Sequence, residues 1–442
     1  MLDRLRRGCK VGFFGLGRSN LSLISTLPLE NCSITLRSDS RINPEIAKCA
    51  EIYEGCNSLC NIDEDVLFLS PSVKRDRPEL INAQSRGVLL TSDYELFLSE
   101  CKSKIFAITG SDGKSSTARL LSLLLTESGY NAREVGNMGK PMFESLTPHA
   151  DIYVAELSSF MLSAARPNAT VSALTSLSPN HLDWHGSYEN YKKTKISLLK
   201  SSEKFVISDE NADVSGAFGI VSPSRCYTDL RKLYKAGIYV TVEDGYIKRN
   251  GERLLPVDQI KRQEEYSLKN LMLAIAMADG LVTQDAILRV ARGFSGLAHR
   301  CENFLSTGEI DYYDSSIDTS PTRTATTLRS LGREVVIILG GRSKGLDFSA
   351  MLPEIGKYVK FAILIGENRN EIYSVISPVV TCHMADTLDE AITIGIKLAR
   401  NVGALLLSPA SASYDMFTGY EARGDMFKKL VQKGIENEKN LS

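Results

Sequence analysis

The chain has 442 residues, enough for roughly two to four domains of ordinary size, each able to bury its own core. Its 52 basic and 53 acidic residues nearly cancel, so no global field favours nucleic acid or an anionic membrane, and any anion binding has to be local. No apolar run approaches the roughly 18 residues of a membrane span. The nine cysteines, with only Cys56 and Cys60 close together and no CxxC knuckle, read as reduced cytosolic thiols and not as a disulfide frame or a zinc site.

The opening "MLDRLRRGCKVGFFGLGRS" imitates a secretory signal, but Arg18 and a glycine turn interrupt its apolar stretch, and it reads as the start of a strand. Expected strands follow at 10–16, 32–38, 66–70 and 87–92. A second series lies at 104–110, 151–157, 169–177 and 204–208, and a third at 335–341, 361–367 and 404–410. Helix-length amphipathic segments separate them, which is the pattern of parallel sheets covered by helices. Residues 240–256 read as a hairpin with "NG" at its turn. Three α/β blocks result, divided near "SECKSK" (99–104) and "GFSGLAHR" (293–300).

The stretch "IFAITGSDGKSS" carries the most specific chemistry. Gly110 and Gly113 let the backbone turn sharply after a strand, so that N–H groups and a helix N-terminus converge on one anion. Lys114 adds a charge for the β and γ phosphates, and Ser115 a hydroxyl suited to Mg²⁺. The full Walker pattern would have glycine where this chain has Ile108. A second turn, "GFFGLGRSN", has Gly12, Gly15 and Gly17 loosely spaced as in a dinucleotide fingerprint. Asp39 and Arg41 end the next strand, which keeps a dehydrogenase reading open at this point.

Downstream, Glu156 ends a strand where a metal-holding carboxylate belongs. His181 sits in "SPNHLDWHG", and Lys195 in a helix that carries three lysines in "YKKTK". A hydrogen-bonded loop histidine and a solvated lysine are the plainer readings of these two.

The motifs "TGSDGKSS", "GNMGKP", "ELSSFML", "SPNHLDWHG…YKKTK", "AHRCE", "YDSSIDTSPTRT", "GGRSKGLDF" and "LLSPASASYDMFTGYEARGDMF" occur in the order seen in the Mur ligases, and the whole chain resembles that family. The closing block is similar to its D-glutamate-adding branch. The resemblance implies an α/β fold of three domains: a Rossmann-like UDP-substrate domain over 1–101, a central P-loop ATPase-type domain over 102–297 and a Rossmann-like amino-acid domain over 298–442.

It implies further that an ATP-dependent amide ligase adds D-glutamate to UDP-N-acetylmuramoyl-L-alanine through an acyl phosphate, as a cytoplasmic monomer with ATP and Mg²⁺ and with no nucleic-acid or membrane partner. The UDP-substrate positions would be Gly17, Arg18, Ser19, Asp39, Arg41, Asn137 and Ser159. ATP would be held by Gly110, Gly113, Lys114, Ser115, Ser116, Asn270, Arg300 and Asp314. Ser115, Glu156, His181 and a carbamylated Lys195 would be the metal ligands, with Lys114, Glu156, His181 and Lys195 the catalytic set. Lys344, Ser413 and Tyr420 would form the amino-acid pocket.

The chain departs from the family pattern at Ser316, where a lysine is usual, with Arg323 a candidate substitute cation. Asp318 replaces a small or hydroxyl residue, Tyr420 stands where phenylalanine is common, Leu273 where a second asparagine would be, and "SPSV" has Ser72 in place of a glycine. The rival readings are a related ligase for L-glutamate, another amino acid or folate, an NAD-dependent oxidoreductase, and an inactive nucleotide-binding regulator.

Overall fold

The computed structural model describes residues 1–43, 50–137, 140–211, 213–342 and 345–439. They form two compact units, Met1–Phe294 and Ser295–Ser442.

The first unit contains two sheets. Strands β1 (Lys10–Phe14), β2 (Ser33–Ser38), β3 (Glu51–Glu54), β4 (Val66–Leu69) and β5 (Leu89–Thr91) are parallel in the order β3-β2-β1-β4-β5. The chain leaves β1 toward β2 and later returns on β1's other side as β4. The connections leaving the carboxyl ends of β1 and β4 therefore run in opposite directions, the switch point at which open parallel sheets take ligands.

The second sheet comprises β6 (Lys104–Thr109), β7 (Ala132–Gly136), β8 (Ile152–Glu156), β9 (Ala169–Leu174), β10 (Ser202–Ser208), β11 (Gly219–Ser222), β12 (Ile238–Glu243), β13 (Tyr246–Arg249) and β14 (Glu252–Pro256). Their order is β14-β13-β12-β11-β10-β9-β6-β8-β7. All pairings are parallel except those of β13 with β12 and β14.

Two helices fix this sheet. Lys114–Glu127 buries Leu120, Leu121, Leu124 and Leu125, the i, i+1, i+4, i+5 stripe of a helix laid on a sheet. Glu265–Met277 is buried nearly all round because it packs both on that helix and on the sheet. Where 240–256 was expected to be one hairpin, the structure has a three-stranded meander. Both Asp244-Gly245 and Asn250-Gly251 adopt positive φ (51°, 74°, 52° and 87°), so each is a tight turn of the kind that matches strand twist, and the strands run on either side of both.

The second unit has β15 (Glu302–Ser306), β16 (Asp311–Asp314), β17 (Val335–Gly340), β18 (Val359–Ile365), β19 (Thr381–Met384) and β20 (Ala404–Leu407), in the order β15-β16-β20-β17-β18-β19, with only β15 antiparallel. All six residues of β17 are buried, as expected for a central strand covered on both faces.

The strands not anticipated are β3, β7, β11, β15, β16 and β19. Segments such as "EIYE", "AREVG" and "ENFLS" are short and polar, and lie at or near sheet edges, so they lack the continuous apolar run that marks a central strand. No helix among the described residues is long and apolar enough to cross a membrane.

Candidate active site

The turn between β6 and Lys114–Glu127 is held open by geometry only glycine tolerates. Gly110 has φ +150°, and a Cβ there would lie 1.9 Å from Thr175 Oγ1, while Gly113, at φ +80°, is the helix N-cap. From below, Asn270 packs against Gly113 and accepts from Thr117 Oγ1 at 3.3 Å, so its amide braces the turn. From the side, Ser111 Oγ contacts Tyr191 Oη at 3.0 Å and receives the Ser178 N–H at 2.9 Å. Ser115 is buried and Ser116 half-buried behind the turn.

Two lysines converge on this turn. Lys114 Nζ donates to the carbonyls of Gly110 (2.9 Å) and Ser111 (2.8 Å). Lys195 reaches the same Gly110 carbonyl at 2.8 Å, and its ammonium lies 4.7 Å from the centre of the Tyr191 ring. Lys195 is only 2% exposed, which overturns the solvated reading of "YKKTK" for this lysine. Burial, reinforced by the charge of Lys114, pulls its pKa down to about 7, so near neutrality a large fraction of the amine is uncharged.

Glu156, at the end of β8, is also 2% exposed. Its Oε1 accepts from Asn137 Nδ2 at 3.1 Å, but Oε2 is buried with no hydrogen-bond partner. A carboxylate oxygen stripped of water and given no donor is costly unless a cation completes it.

His181 has φ +52° and opens the helix Leu182–His185, its ring 4.9 Å from that of Phe160. Partial desolvation lowers its pKa, Asp183 opposes that, and Lys195 and Lys114 lower it further, a direction that favours the uncharged imidazole a metal needs. Ser159, 2% exposed, contacts His185 Nε2 at 2.9 Å.

The same unit brings the other turn alongside. Gly17 caps the helix Arg18–Thr26, Ser19 is half-buried, and Arg18 Nη2 donates to the Asn137 carbonyl at 3.3 Å. What shapes this turn is Asn20, fully buried, whose Nδ2 donates to the carbonyls of Phe14, Gly15 and Phe68 and ties β1 to β4. Asp39 is engaged by both terminal nitrogens of Arg77 and by Ser58 Oγ, and the Arg77 guanidinium holds its carboxyl below the usual range; Arg41 is exposed nearby in sequence. Beneath lies Arg37, 0% exposed, paired with Glu64 at 2.6 Å and donating to three carbonyls.

In the second unit, Asp314 is fully buried. Its Oδ1 accepts the Ser316 N–H at 2.9 Å, and Oδ2 lies 2.7 Å from His299 Nδ1. That contact raises the His299 pKa. His299, Glu302 and Asp314 form the single metal-sized cluster among the described residues, but Lys428 already bonds Glu302 and sits 3.6 Å from Asp314, so a cation occupies that place.

Arg300 is half-buried beside His299, Ser413 is buried, and Tyr420 begins the last helix with its ring 6.1 Å from His299. Lys344 lies outside the described residues. Arg323, the expected substitute for a lysine at 316, is exposed and donates to the Ile317 carbonyl. The buried cation next to Ser316 is instead Arg423, 0% exposed, bonded to Ser316 Oγ (2.9 Å), Ser316 O (2.9 Å) and Ser411 O (3.1 Å). Asp318 is buried among Thr327 and Ser408 hydroxyls, both 2.7 Å away, and burial raises its pKa. Leu273 is core.

Sequence reasoning passed over Tyr191, His185, His299 and Arg423. All four stand inside quoted motifs, one to four residues from positions that were singled out.

Residues 108–278 match the family model described as the Mur ligase middle domain. The chain is 32% identical over 446 aligned residues to a UDP-N-acetylmuramoylalanine–D-glutamate ligase of Clostridium botulinum, covering 96% of each chain, and equally identical, at the same coverage, to the ligase of that name from Clostridium tetani. Among solved structures it resembles the UDP-N-acetylmuramate-alanine ligase of Thermotoga maritima (17% identity, TM-score 0.58, covering 96% of this chain and 99% of that one) and a folylpolyglutamate synthase of the same organism (12%, 0.52, 77% and 93%). On this full-length similarity, the chain belongs to the Mur ligase family, among the UDP-N-acetylmuramoylalanine–D-glutamate ligases.

Proposed function

We infer that this protein is an ATP-dependent, ADP-forming amide ligase that joins D-glutamate to UDP-N-acetylmuramoyl-L-alanine in peptidoglycan synthesis. The observation that carries the reading is identity of 32% over 96% of both chains with ligases of that name.

The proposed chemistry is stepwise. The γ-phosphoryl group of ATP passes to the alanyl carboxylate, giving ADP and an acyl phosphate. The amine of D-glutamate then attacks that carbonyl, phosphate leaves, and the nitrogen gives up a proton to form the amide. Lys114, which here donates to its own turn, would exchange those carbonyls for phosphate oxygens and stabilise the charge they gain. Gly110, Gly113, Ser115, Ser116, Asn270, Arg300 and Asp314 would bind the nucleotide.

Ser115, Glu156, His181 and Lys195 would hold magnesium, Lys195 as its carbamate. The unpartnered Glu156 oxygen and the amine of pKa about 7 fit this, because only a neutral amine captures CO₂ to become an oxygen donor. Magnesium bound there would spread the negative charge of the moving phosphoryl group.

Gly17, Arg18, Ser19, Asp39 and Arg41 would take the UDP end, Asn137 and Ser159 the muramoyl-peptide, and Lys344, Ser413 and Tyr420 the amino acid. We place the domains at 1–101, 102–297 and 298–442 and the enzyme in the cytoplasm as a monomer.

The test is phosphate release measured with ATP, magnesium, UDP-N-acetylmuramoyl-L-alanine and D-glutamate together, and with each left out. Release only from the complete mixture is expected. Equal rates with L-glutamate would remove the stereochemical assignment, and no release would remove the activity.

A further inference from the structure

We propose that His185 is a positioning residue for the sugar-nucleotide substrate, acting by holding the Ser159 hydroxyl. The inference rests on the assignment of Ser159 to the muramoyl-peptide site and goes beyond it by naming what orients that hydroxyl.

Ser159 is 2% exposed and opens the helix Ser159–Ala164, which follows directly on the strand that ends in Glu156. A serine hydroxyl rotates freely about its C–O bond, so what it offers a ligand is decided by its fixed neighbour. Here that neighbour is His185 Nε2, at 2.9 Å. With the imidazole engaging one side of the oxygen, the remaining donor or acceptor capacity is directed elsewhere, and its direction is constant.

The imidazole itself has little freedom. Its ring lies 4.6 Å from that of Trp184, 5.3 Å edge-on from Tyr191, and stacks at 6.1 Å with Phe160, the two planes within 4°. Its backbone carbonyl accepts from Asn190 Nδ2 at 3.1 Å, and the left-handed Gly186 ends its helix immediately afterwards. A histidine packed on three aromatic rings presents its Nε2 at one place.

The placement also has consequences beyond Ser159. Tyr191, against which His185 packs, contacts Ser111 of the phosphate turn. His181, one helical turn before His185, packs on the same Phe160 ring. His185 thus joins the segment carrying His181 to the segment carrying Glu156 and Ser159, two sides of one site within the first unit. Phenylalanine would preserve the aromatic packing and lose the hydrogen bond. Glutamine, whose amide nitrogen stands at about the position of Nε2, would keep the bond and lose part of the packing.

The experiment is steady-state kinetics of the full-length enzyme for wild type, Ser159→Ala, His185→Phe, His185→Gln and the Ser159→Ala/His185→Phe double variant. Thermal melting and the emission of Trp184, the only tryptophan of the chain, serve as folding controls. Loss of one hydrogen bond predicts a KM for UDP-N-acetylmuramoyl-L-alanine raised about five- to tenfold in His185→Phe, with kcat and the KM for ATP within about twofold of wild type.

Recovery of most of that KM in His185→Gln, and a double variant no worse than Ser159→Ala alone, would support the assignment. If Ser159→Ala raises KM but His185→Phe does not, or if the two effects simply add, His185 has no positioning role. If Ser159→Ala itself leaves KM unchanged, the assignment of Ser159 to the substrate fails and the inference falls with it. A His185→Phe variant that melts early and loses kcat and both KM values together, unrescued by glutamine, would make the contact merely structural and overturn the proposal.

Discussion

The glycine turn after β6 in the first unit and the Asp314 cluster of the second both bury cationic side chains, with opposite electrostatic results. Lys195 is sealed under the turn with a carbonyl and another lysine for company, and its pKa falls to about 7. His299 is also buried, though less deeply, and it lies against Asp314, whose contact raises its pKa. Arg423 lies between these cases. Its contacts are neutral oxygens, and burial lowers its pKa only to about 10, leaving it charged near neutrality. Burial alone therefore does not say what a cation will do: the partner in contact decides whether the group is held charged or released to react.

The largest expected effect breaks the first side of this comparison. Lys195→Ala should cut turnover by about a hundredfold or more with the fold retained, and small carboxylates should partly restore it by supplying the missing oxygen ligand. Full activity in the alanine variant, measured as phosphate release, would return this lysine to a structural role.

Next in size, Arg423→Met should destabilise the second unit by about 2–4 kcal/mol in urea unfolding, because the Ser316 and Ser411 carbonyls would be left buried and unbonded. Arg323→Met should shift stability by no more than about 0.5 kcal/mol, since that side chain is exposed. Equal effects would refute the assignment of the buried cation.

A matched pair of glycines sharpens the contrast. Gly110→Ala would drive a Cβ to 1.9 Å from Thr175 Oγ1 at a φ alanine rarely adopts, and Gly424→Ala would put one 2.2 Å from His299 Nδ1 and 2.6 Å from Asp314 Oδ2. Each should cost about 1–3 kcal/mol. Nucleotide affinity, read by ADP titration calorimetry, should fall more steeply per unit of lost stability in Gly110→Ala.

The smallest effect is a pH dependence. The folded-state pKa of His299 is raised by Asp314, so the pair's contribution to stability is fully present below the ordinary histidine range and is lost as pH rises through the raised value. Unfolding free energies of wild type and His299→Gln should converge across that window, and a difference that grows with pH would contradict the pairing.

Much of the chemistry was legible in the linear order of residues. A glycine turn followed by lysine and serine after an apolar run, and a carboxylate ending a later strand, are local patterns, and the structure brings Gly110, Lys114, Glu156, His181 and Lys195 into one unit at the carboxyl ends of its strands. Six strands escaped notice because edge and short strands carry no long apolar signal. Arg423 escaped for a different reason: nothing within "YEARGDMF" distinguishes a guanidinium that will be wholly buried from one that will be solvated, and Arg323 looked the better candidate from its nearness to Ser316 in the chain.

The amino-acid sequence by itself determined the α/β alternation, the position of the glycine turn after β6 and the family, because backbone turning, apolar periodicity and ordered motifs are properties of neighbouring residues. Only the tertiary structure decided which lysine of "YKKTK" is buried, which oxygen of Glu156 has no donor, and which arginine lies beneath Ser316. These depend on desolvation and on partners separated by tens to hundreds of residues in the chain, and a side chain's charge state is set by the groups folded around it.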